Sequence, residues 1–140
     1  LPVCETMLFG NQPFIADMTA YALTHDFDTA ERMRAAYARR ARLIADALDT
    51  ASGLRVLPPK AGMFCLVDVS GTGLGSEDFA WSLLDRAEVA VMPGASFGDR
   101  AQDFIRLSLT VPDARIVEAC RRIADFARTL TAAQPKAVHA

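Results

Sequence analysis

Residues 104–110 read FIRLSLT, a stretch in which apolar and polar side chains alternate. Alternation with a period of two predicts a β-strand with one buried face. The buried face is predicted to consist of Ile105, Leu107 and Leu109. Arg106 and Ser108 fall on the opposite face of the same strand. The fold is therefore expected to be built around a sheet, with a strand at this position.

Two long helices are predicted, one well before this strand and one directly after it. Residues 30–51 carry apolar side chains at spacings of three and four, which is the repeat of an amphipathic helix. Gly53 is placed to end that helix in a left-handed conformation. The second helix follows Pro112. Its apolar stripe is Ile116, Cys120, Ile123, Ala127 and Leu130.

The region between the long helices predicts three further strands and a helix. The strands are expected at residues 54–57, 63–69 and 89–92. Ser76 is predicted to cap the helix. The buried face of that helix is predicted to be Phe79, Leu83, Leu84 and Ala87. With an additional helix from Pro13 that ends near His25, the order is ααββαββα. This order predicts an α+β fold with a small sheet of about four strands and helices packed on one face.

Composition argues against several classes of function. The net charge is −2, and no basic cluster marks a nucleic-acid partner. Arg39, Arg40 and Arg42 are interpreted as the solvated face of a helix. No apolar run approaches the ~20 residues that span a membrane, and no signal peptide is expected. The cysteines Cys4, Cys65 and Cys120 lack metal-ligand spacing, so we expect no metal and a reducing, cytoplasmic setting.

Two glycine-rich stretches resemble known site motifs but depart from them. Residues 71–75 read GTGLG, and the dinucleotide-binding fingerprint would need glycine where Ser76 stands. Residues 94–98 read GASFG, which matches the nucleophile elbow of serine hydrolases by letters. Only residues 99–103 separate it from the next strand, too few for the helix that the elbow requires. Both stretches are therefore predicted to be turns.

Arg106 is the one charged residue within the FIRLSLT strand. An arginine in the middle of a strand is costly to bury without a partner. One interpretation is an exposed sheet face, or a pair with Asp68 or Asp103. The other is a guanidinium presented from a rigid strand to a ligand carboxylate or phosphate, which it can bind through two parallel hydrogen bonds. The residues alone leave both interpretations open.

Several segments, taken in order, resemble the C-terminal third of the class I/II aminotransferases that depend on pyridoxal 5'-phosphate (PLP). These are the aspartate-aminotransferase-like enzymes of fold type I. The resemblance covers roughly residues 10–130 and rests on order and spacing. The segments are QPFI at 12–15, PKAGMF at 59–64, VAVMPG at 89–94, FG at 97–98 and FIRLS at 104–108.

The resemblance implies an enzyme of amino-acid metabolism that transfers an amino group between an amino acid and a 2-oxo acid. It implies that Arg106 binds the substrate carboxylate, with Gly62 and Phe64 near the same pocket. It also places the Schiff-base lysine upstream of this chain, because neither Lys60 nor Lys136 has the expected context. The chain alone is therefore expected to hold no PLP and to be inactive.

The resemblance also predicts how the chain is organised. Residues 1–27 would be an N-terminal segment and helix that packs on a missing large domain. Residues 28–130 would be the C-terminal domain of the aminotransferase, and residues 131–140 a flexible tail. The intact protein would be a homodimer.

Two other functions remain open at this point. The same domain occurs at the C-terminus of aminotransferase-like transcription regulators, in which ligand binding matters more than turnover. A winged-helix segment far upstream would favour that reading. Alternatively, the chain is a freestanding small domain that binds carboxylates without doing chemistry. Such a domain would be a stable monomer without exposed apolar patches.

Overall fold

A computed structural model describes residues 12–25, 28–48 and 53–133 of the 140-residue chain. Within those ranges the elements follow the order ααββαββα, which confirms the predicted α+β fold. The helices are α1 (Pro13–Thr24), α2 (Thr29–Ala47), α3 (Ser76–Ala87) and α4 (Asp113–Ala133). The strands are β1 (Arg55–Leu57), β2 (Phe64–Asp68), β3 (Met92–Pro93) and β4 (Phe104–Ser108). The chain divides into two compact units, residues 1–34 and residues 35–140.

The first unit contains α1 and the beginning of α2. Pro13 opens α1, a position where its missing N–H leaves no hydrogen bond unmade. As predicted, the helix ends at His25, whose backbone N–H donates to the carbonyl of Tyr21 at 3.1 Å. No residue of α1 is buried, although the helix is rich in large apolar side chains. Those exposed are Phe14, Ile15, Met18, Tyr21 and Leu23.

The second unit is built on an antiparallel sheet with the strand order β1-β2-β4-β3. The strand that contains Arg106, β4, lies between β2 and β3. Its inner face is buried as predicted through Ile105 and Leu107, whereas Leu109, predicted for the same strand, is buried just after the strand ends. The register places Arg106 opposite Leu66 of β2 and Met92 of β3. The sheet thus has an inner apolar face and an outer face that carries Arg106.

The core lies between the inner face of the sheet and helices α2, α3 and α4. The rings of Phe79 on α3 and Phe126 on α4 meet edge to face, with centroids 5.3 Å apart. Burial raises the pKa of the Cys65 and Cys120 thiols to about 11. The two cysteines are core residues, as predicted for Cys120, whereas Cys4 lies outside the described residues. The buried stripe of α4 includes Ile116, Cys120, Ile123 and Ala127.

Two predictions about α3 are wrong. The N-cap residue is Gly75, and Ser76 makes no capping bond. The Ser76 side chain is buried, and its hydroxyl accepts a hydrogen bond from the backbone N–H of Ala95 at 3.2 Å. Leu84 is 39% exposed, because the core-facing stripe of the helix runs through Ala80 instead.

The third strand is shorter than predicted. The ladder between β3 and β4 contains only Met92 and Pro93, whereas residues 89–92 were expected to form the strand. Proline has no N–H to donate, which limits pairing where this edge strand ends. Val89 is nevertheless buried, so its apolar character serves the core rather than the ladder.

Gly53 and Gly71, the first glycine of the GTGLG stretch, allow two backbone segments to pack closely against each other. Gly53 has the predicted left-handed conformation, with φ of 75°, but α2 ends at Ala47, so the prediction that Gly53 caps this helix is wrong. A Cβ atom on Gly53 would lie 2.8 Å from the carbonyl oxygen of Gly71, and one on Gly71 would lie 2.5 Å from that of Gly53. Thr72 is buried and donates its hydroxyl to the carbonyl of Val69 at 2.7 Å. The stretch forms a turn, as predicted, packed against another loop.

A charged clamp joins α2 to the end of β4 and the start of α4. Arg39 and Arg40 donate through Nε to the two carboxylate oxygens of Asp113, at 2.7 and 2.8 Å. Arg40 also donates through Nη1 to the carbonyl of Leu109 at 2.8 Å. Its side chain is only 16% exposed. The interpretation of these arginines as a solvated face is therefore wrong for Arg40, which links three elements.

Replacing Asp113 with asparagine should lower the stability of the fold at neutral pH. Hydrogen bonds from Arg39 and Arg40 hold the pKa of Asp113 at about 2, below its ordinary value. As the pH falls from the ordinary pKa of 3.8 to about 2, the unfolded chain takes up the proton first, and the stabilisation by the ionised Asp113 is lost. The urea midpoint of Asp113→Asn should therefore lie below that of the parent at pH 7 and approach it near pH 2. Asp85→Asn, which removes the same charge elsewhere, is the control. Equal urea midpoints for Asp113→Asn and the parent at pH 7 would show that the clamp does not stabilise the fold.

Candidate carboxylate-binding site

Arg106 lies in the middle of the outer face of the sheet. It belongs to the central strand β4, and its side chain is partly buried. Within the ranges that the structure describes, its guanidinium has neither an ion pair nor a hydrogen bond. A cation held mid-strand with unused donors is able to bind an anion.

The alternative in which Asp68 neutralises Arg106 is wrong. Asp68 accepts from Arg55 at 2.7 Å and from the backbone N–H of Ser70 at 2.9 Å. Burial opposes ionisation, but the hydrogen bonds from Ser70 and the Arg55 guanidinium lower the pKa of Asp68. Its charge is thus already balanced. Asp103 forms no ion pair with Arg106 in this part of the chain either.

Two aromatic rings contact the guanidinium of Arg106. Its central carbon lies 4.0 Å from the ring centroid of Phe64 and 4.7 Å from that of Phe97. Both distances are within the range of cation–π attraction. Phe64 was predicted near this pocket, whereas Phe97 was missed as a site residue. The available signal was an aromatic residue inside a glycine turn, but its position over β4 depends on tertiary packing.

Gly62 contributes to the backbone rather than to the lining of the site. It is exposed with φ of 83°, a left-handed conformation that glycine adopts without strain. A Cβ atom added there would meet nothing within 4 Å. Its turn leads the chain into β2, the strand that carries Phe64.

An open cavity of about 300 Å³ lies beside Arg106. This volume is at the small end of ligand pockets, the size suited to a compact molecule. The outer face around it is apolar, with Leu57, Leu66 and Met92 partly exposed to solvent. One cation therefore stands in an apolar setting, which strengthens its attraction for an anion. The cavity is lined by Phe64, Ala90, Val91, Met92, Arg106 and Ser108.

The turn that carries Phe97 is fixed against the start of β4. Gly94 is buried, and a Cβ atom there would lie 2.5 Å from the carbonyl oxygen of Phe104 and still closer to that of Ala101. The buried hydroxyl of Ser76 holds the next residue, Ala95. The GASFG stretch itself forms a 3-10 turn, Gly94–Phe97. A second short turn, Asp99–Ala101, and then β4 follow, so the stretch is not a nucleophile elbow.

Residues 12–25, 28–48 and 53–133 hold neither a metal-binding cluster nor a membrane-spanning helix. They contain no group of three histidine, cysteine or acidic side chains placed to hold a metal ion. No helix in these ranges is both long and apolar enough to cross a membrane.

Comparison with known proteins links most of this chain to one family. The model of the family "Aminotransferase class I and II" matches residues 5–123. The arginine–pyruvate transaminase AruH of Pseudomonas aeruginosa is 45% identical over 118 residues, covering 84% of this chain and 30% of that protein. An aspartate aminotransferase of Pyrococcus horikoshii is 31% identical over 109 residues, covering 78% and 28%.

Solved structures agree with these relatives. The crystal structure of Pyrococcus protein-A1 superposes with a TM-score of 0.77 at 31% identity, covering 84% of this chain and 31% of that one. The chain spans less than a third of the length of the relatives that it matches.

Replacing Gly94 with alanine should destabilise the second unit by about 3 kcal/mol, because the new methyl group would overlap two backbone carbonyls that cannot move independently. Chemical denaturation measures the loss. Gly75→Ala is the matched control, since a Cβ atom there meets nothing within 4 Å, and its loss should stay below about 1 kcal/mol. Equal stability of the two variants would show that the turn does not press against β4.

Proposed function

This chain belongs to the class I and II aminotransferases, and on that premise we propose that it forms the C-terminal, substrate-binding part of a PLP-dependent enzyme. The complete protein would transfer an amino group between an amino acid and a 2-oxo acid. The observation that carries this proposal is the guanidinium of Arg106. It stands mid-strand beside an open cavity and in contact with two aromatic rings, and no acidic side chain among the described residues pairs with it.

A substrate carboxylate fits Arg106 better than other ligand groups of similar size. The guanidinium presents parallel N–H donors that match the two oxygens of a carboxylate. Amino acids and 2-oxo acids both carry that group next to the reacting carbon. A single fixed arginine could therefore bind the substrate and the product of each half-reaction. The apolar neighbours Leu66 and Met92 would reduce competition from water.

The described residues do not themselves fit the cofactor. Their one lysine is Lys60, which is exposed in the turn between β1 and β2, and Lys136 lies outside the described ranges. We therefore propose that PLP is held by protein segments beyond this chain, including the lysine that bonds to it. In this arrangement the chain binds and orients the substrate but does not carry out the transfer alone.

Exposed apolar surfaces support the proposal that more protein packs against this chain. In the first unit, α1 leaves Met18 and Leu23 largely exposed. In the second unit, the outer sheet face exposes Leu57, Leu66 and Met92. We propose that residues 1–27 pack on a cofactor-binding domain or on a second subunit of a homodimer. Residues 28–130 would form the C-terminal domain, and α4 continues to Ala133 before the proposed tail.

Replacing Arg106 with alanine in the complete PLP-loaded enzyme should lower kcat/KM about 100-fold or more, because the carboxylate loses both its binding partner and its orientation. Arg106→Lys should recover only part of the loss, since an ammonium lacks the planar pair of donors. Steady-state transamination rates with 2-oxo acid acceptors measure both effects.

Arg115→Ala serves as the control for the loss of an exposed arginine and should leave the rate unchanged. Full activity of Arg106→Ala would end the assignment of the substrate carboxylate to this residue. A parent protein that binds 2-oxo acids without turnover would instead support the ligand-sensing regulator.

The 140-residue chain alone should self-associate at micromolar concentration, because its apolar surfaces lack the protein that we propose covers them. Leu23→Lys places a charge on a side chain that is 82% exposed and should weaken the association in sedimentation velocity runs. Val117→Lys, at an exposed aliphatic position of α4, is the control. A parent chain that stays monomeric throughout would favour the freestanding domain.

A further inference from the structure

We propose that Phe97, together with Phe64, positions the guanidinium of Arg106 so that its N–H edge faces the ligand. The two residues are called the aromatic pair below. The ligand in this inference is the substrate carboxylate and so rests on the proposed function, whereas the positioning of Arg106 does not. Phe97 is thus a positioning residue that acts through Arg106.

The Arg106 guanidinium depends on the aromatic pair for a fixed position. An arginine side chain has many rotamers and loses considerable entropy when it is fixed. In the part of the chain that the structure describes, no carboxylate or carbonyl accepts a hydrogen bond from this guanidinium. Its contacts with the aromatic pair, at 4.0 and 4.7 Å from the ring centroids, are the specific interactions available to order it.

Contact with the aromatic pair leaves the N–H donors of the guanidinium free. A distance of 4.0 Å from its central carbon to the Phe64 centroid fits a guanidinium that lies flat over the ring. Contact with a ring uses the flat face, whereas the N–H donors point outward in the plane of the group. An acidic partner would occupy those donors. The aromatic pair can therefore order Arg106 without competing with an incoming carboxylate.

The aromatic pair is itself held by the surrounding structure. Phe64 lies in the β2–β4 ladder, where it pairs with Ser108 and is a diagonal neighbour of Arg106. Phe97 is carried by the turn that Ser76 and Gly94 anchor to the core. Both rings are thus placed by buried structure before any ligand binds. Phe97 is 55% exposed because its ring contacts Arg106 on the outer face of the sheet instead of packing in the core.

The test compares Phe97→Leu, which keeps an apolar side chain without a ring, with Phe97→Tyr, which keeps the ring. In the 140-residue chain carrying Leu23→Lys, which is expected to weaken its self-association, nitrogen-15 relaxation of the Arg106 Nε–H group reports its mobility, and titration with pyruvate reports carboxylate affinity. We expect Phe97→Leu to increase the mobility and to raise the pyruvate Kd about five-fold. Phe97→Tyr should stay within about two-fold of the parent. Trp81→Leu, which removes another exposed ring, should change neither quantity.

The outcomes separate this inference from the proposed function. Unchanged Arg106 mobility in Phe97→Leu would overturn the inference, and so would an equal loss of affinity in Phe97→Tyr. If the parent fails to bind pyruvate while Phe97→Leu still frees Arg106, the positioning role stands and the carboxylate assignment fails. A native backbone amide spectrum confirms that each variant folds. If Phe97→Leu loses it, Phe97→Met makes the same comparison with a more adaptable side chain.

Discussion

The pleat of β4 forces neighbouring side chains onto opposite faces of the sheet, and the arrangement of the site follows from this constraint. Ile105 and Leu107 are buried between the sheet and the helices. Arg106, which stands between them, must then face outward. A slip of one residue in the register would bury the guanidinium and expose the two apolar side chains, which is doubly unfavourable. Packing of the core therefore sets the direction in which the charge points.

The strand that carries Arg106 is secured at both of its ends by contacts from distant parts of the chain. At its beginning, the buried Gly94 brings a turn directly against the carbonyl of Phe104. Just beyond its end, Arg40 donates to the carbonyl of Leu109. Between these points the ladders with β2 and β3 fix the position of each residue. Such a frame limits the motion of the backbone under the guanidinium, which suits a site that must orient its ligand.

Local patterns predicted the order of the elements and most of the core, because periodicity depends only on neighbouring residues. Contacts between distant residues were beyond those patterns. Arg40 reaches partners 69 and 73 positions away, and the Ser76 hydroxyl bonds to a backbone group 19 positions away. The position of Phe97 over Arg106 has the same origin. The sequence alone pointed to Arg106 as a mid-strand charge, while its interpretation as a carboxylate anchor came from family resemblance.

Because Cys65 and Cys120 are buried, their chemical modification reports the transient opening of the fold. With a pKa of about 11, on the order of one thiol in ten thousand is ionised at neutral pH. Alkylating reagents and oxidants attack the thiolate, so the closed fold is nearly inert toward them. Modification of Cys65 or Cys120 would therefore mark a moment when the sheet and α4 had separated. The rate of labelling thus reads out the opening of this interface without any introduced probe.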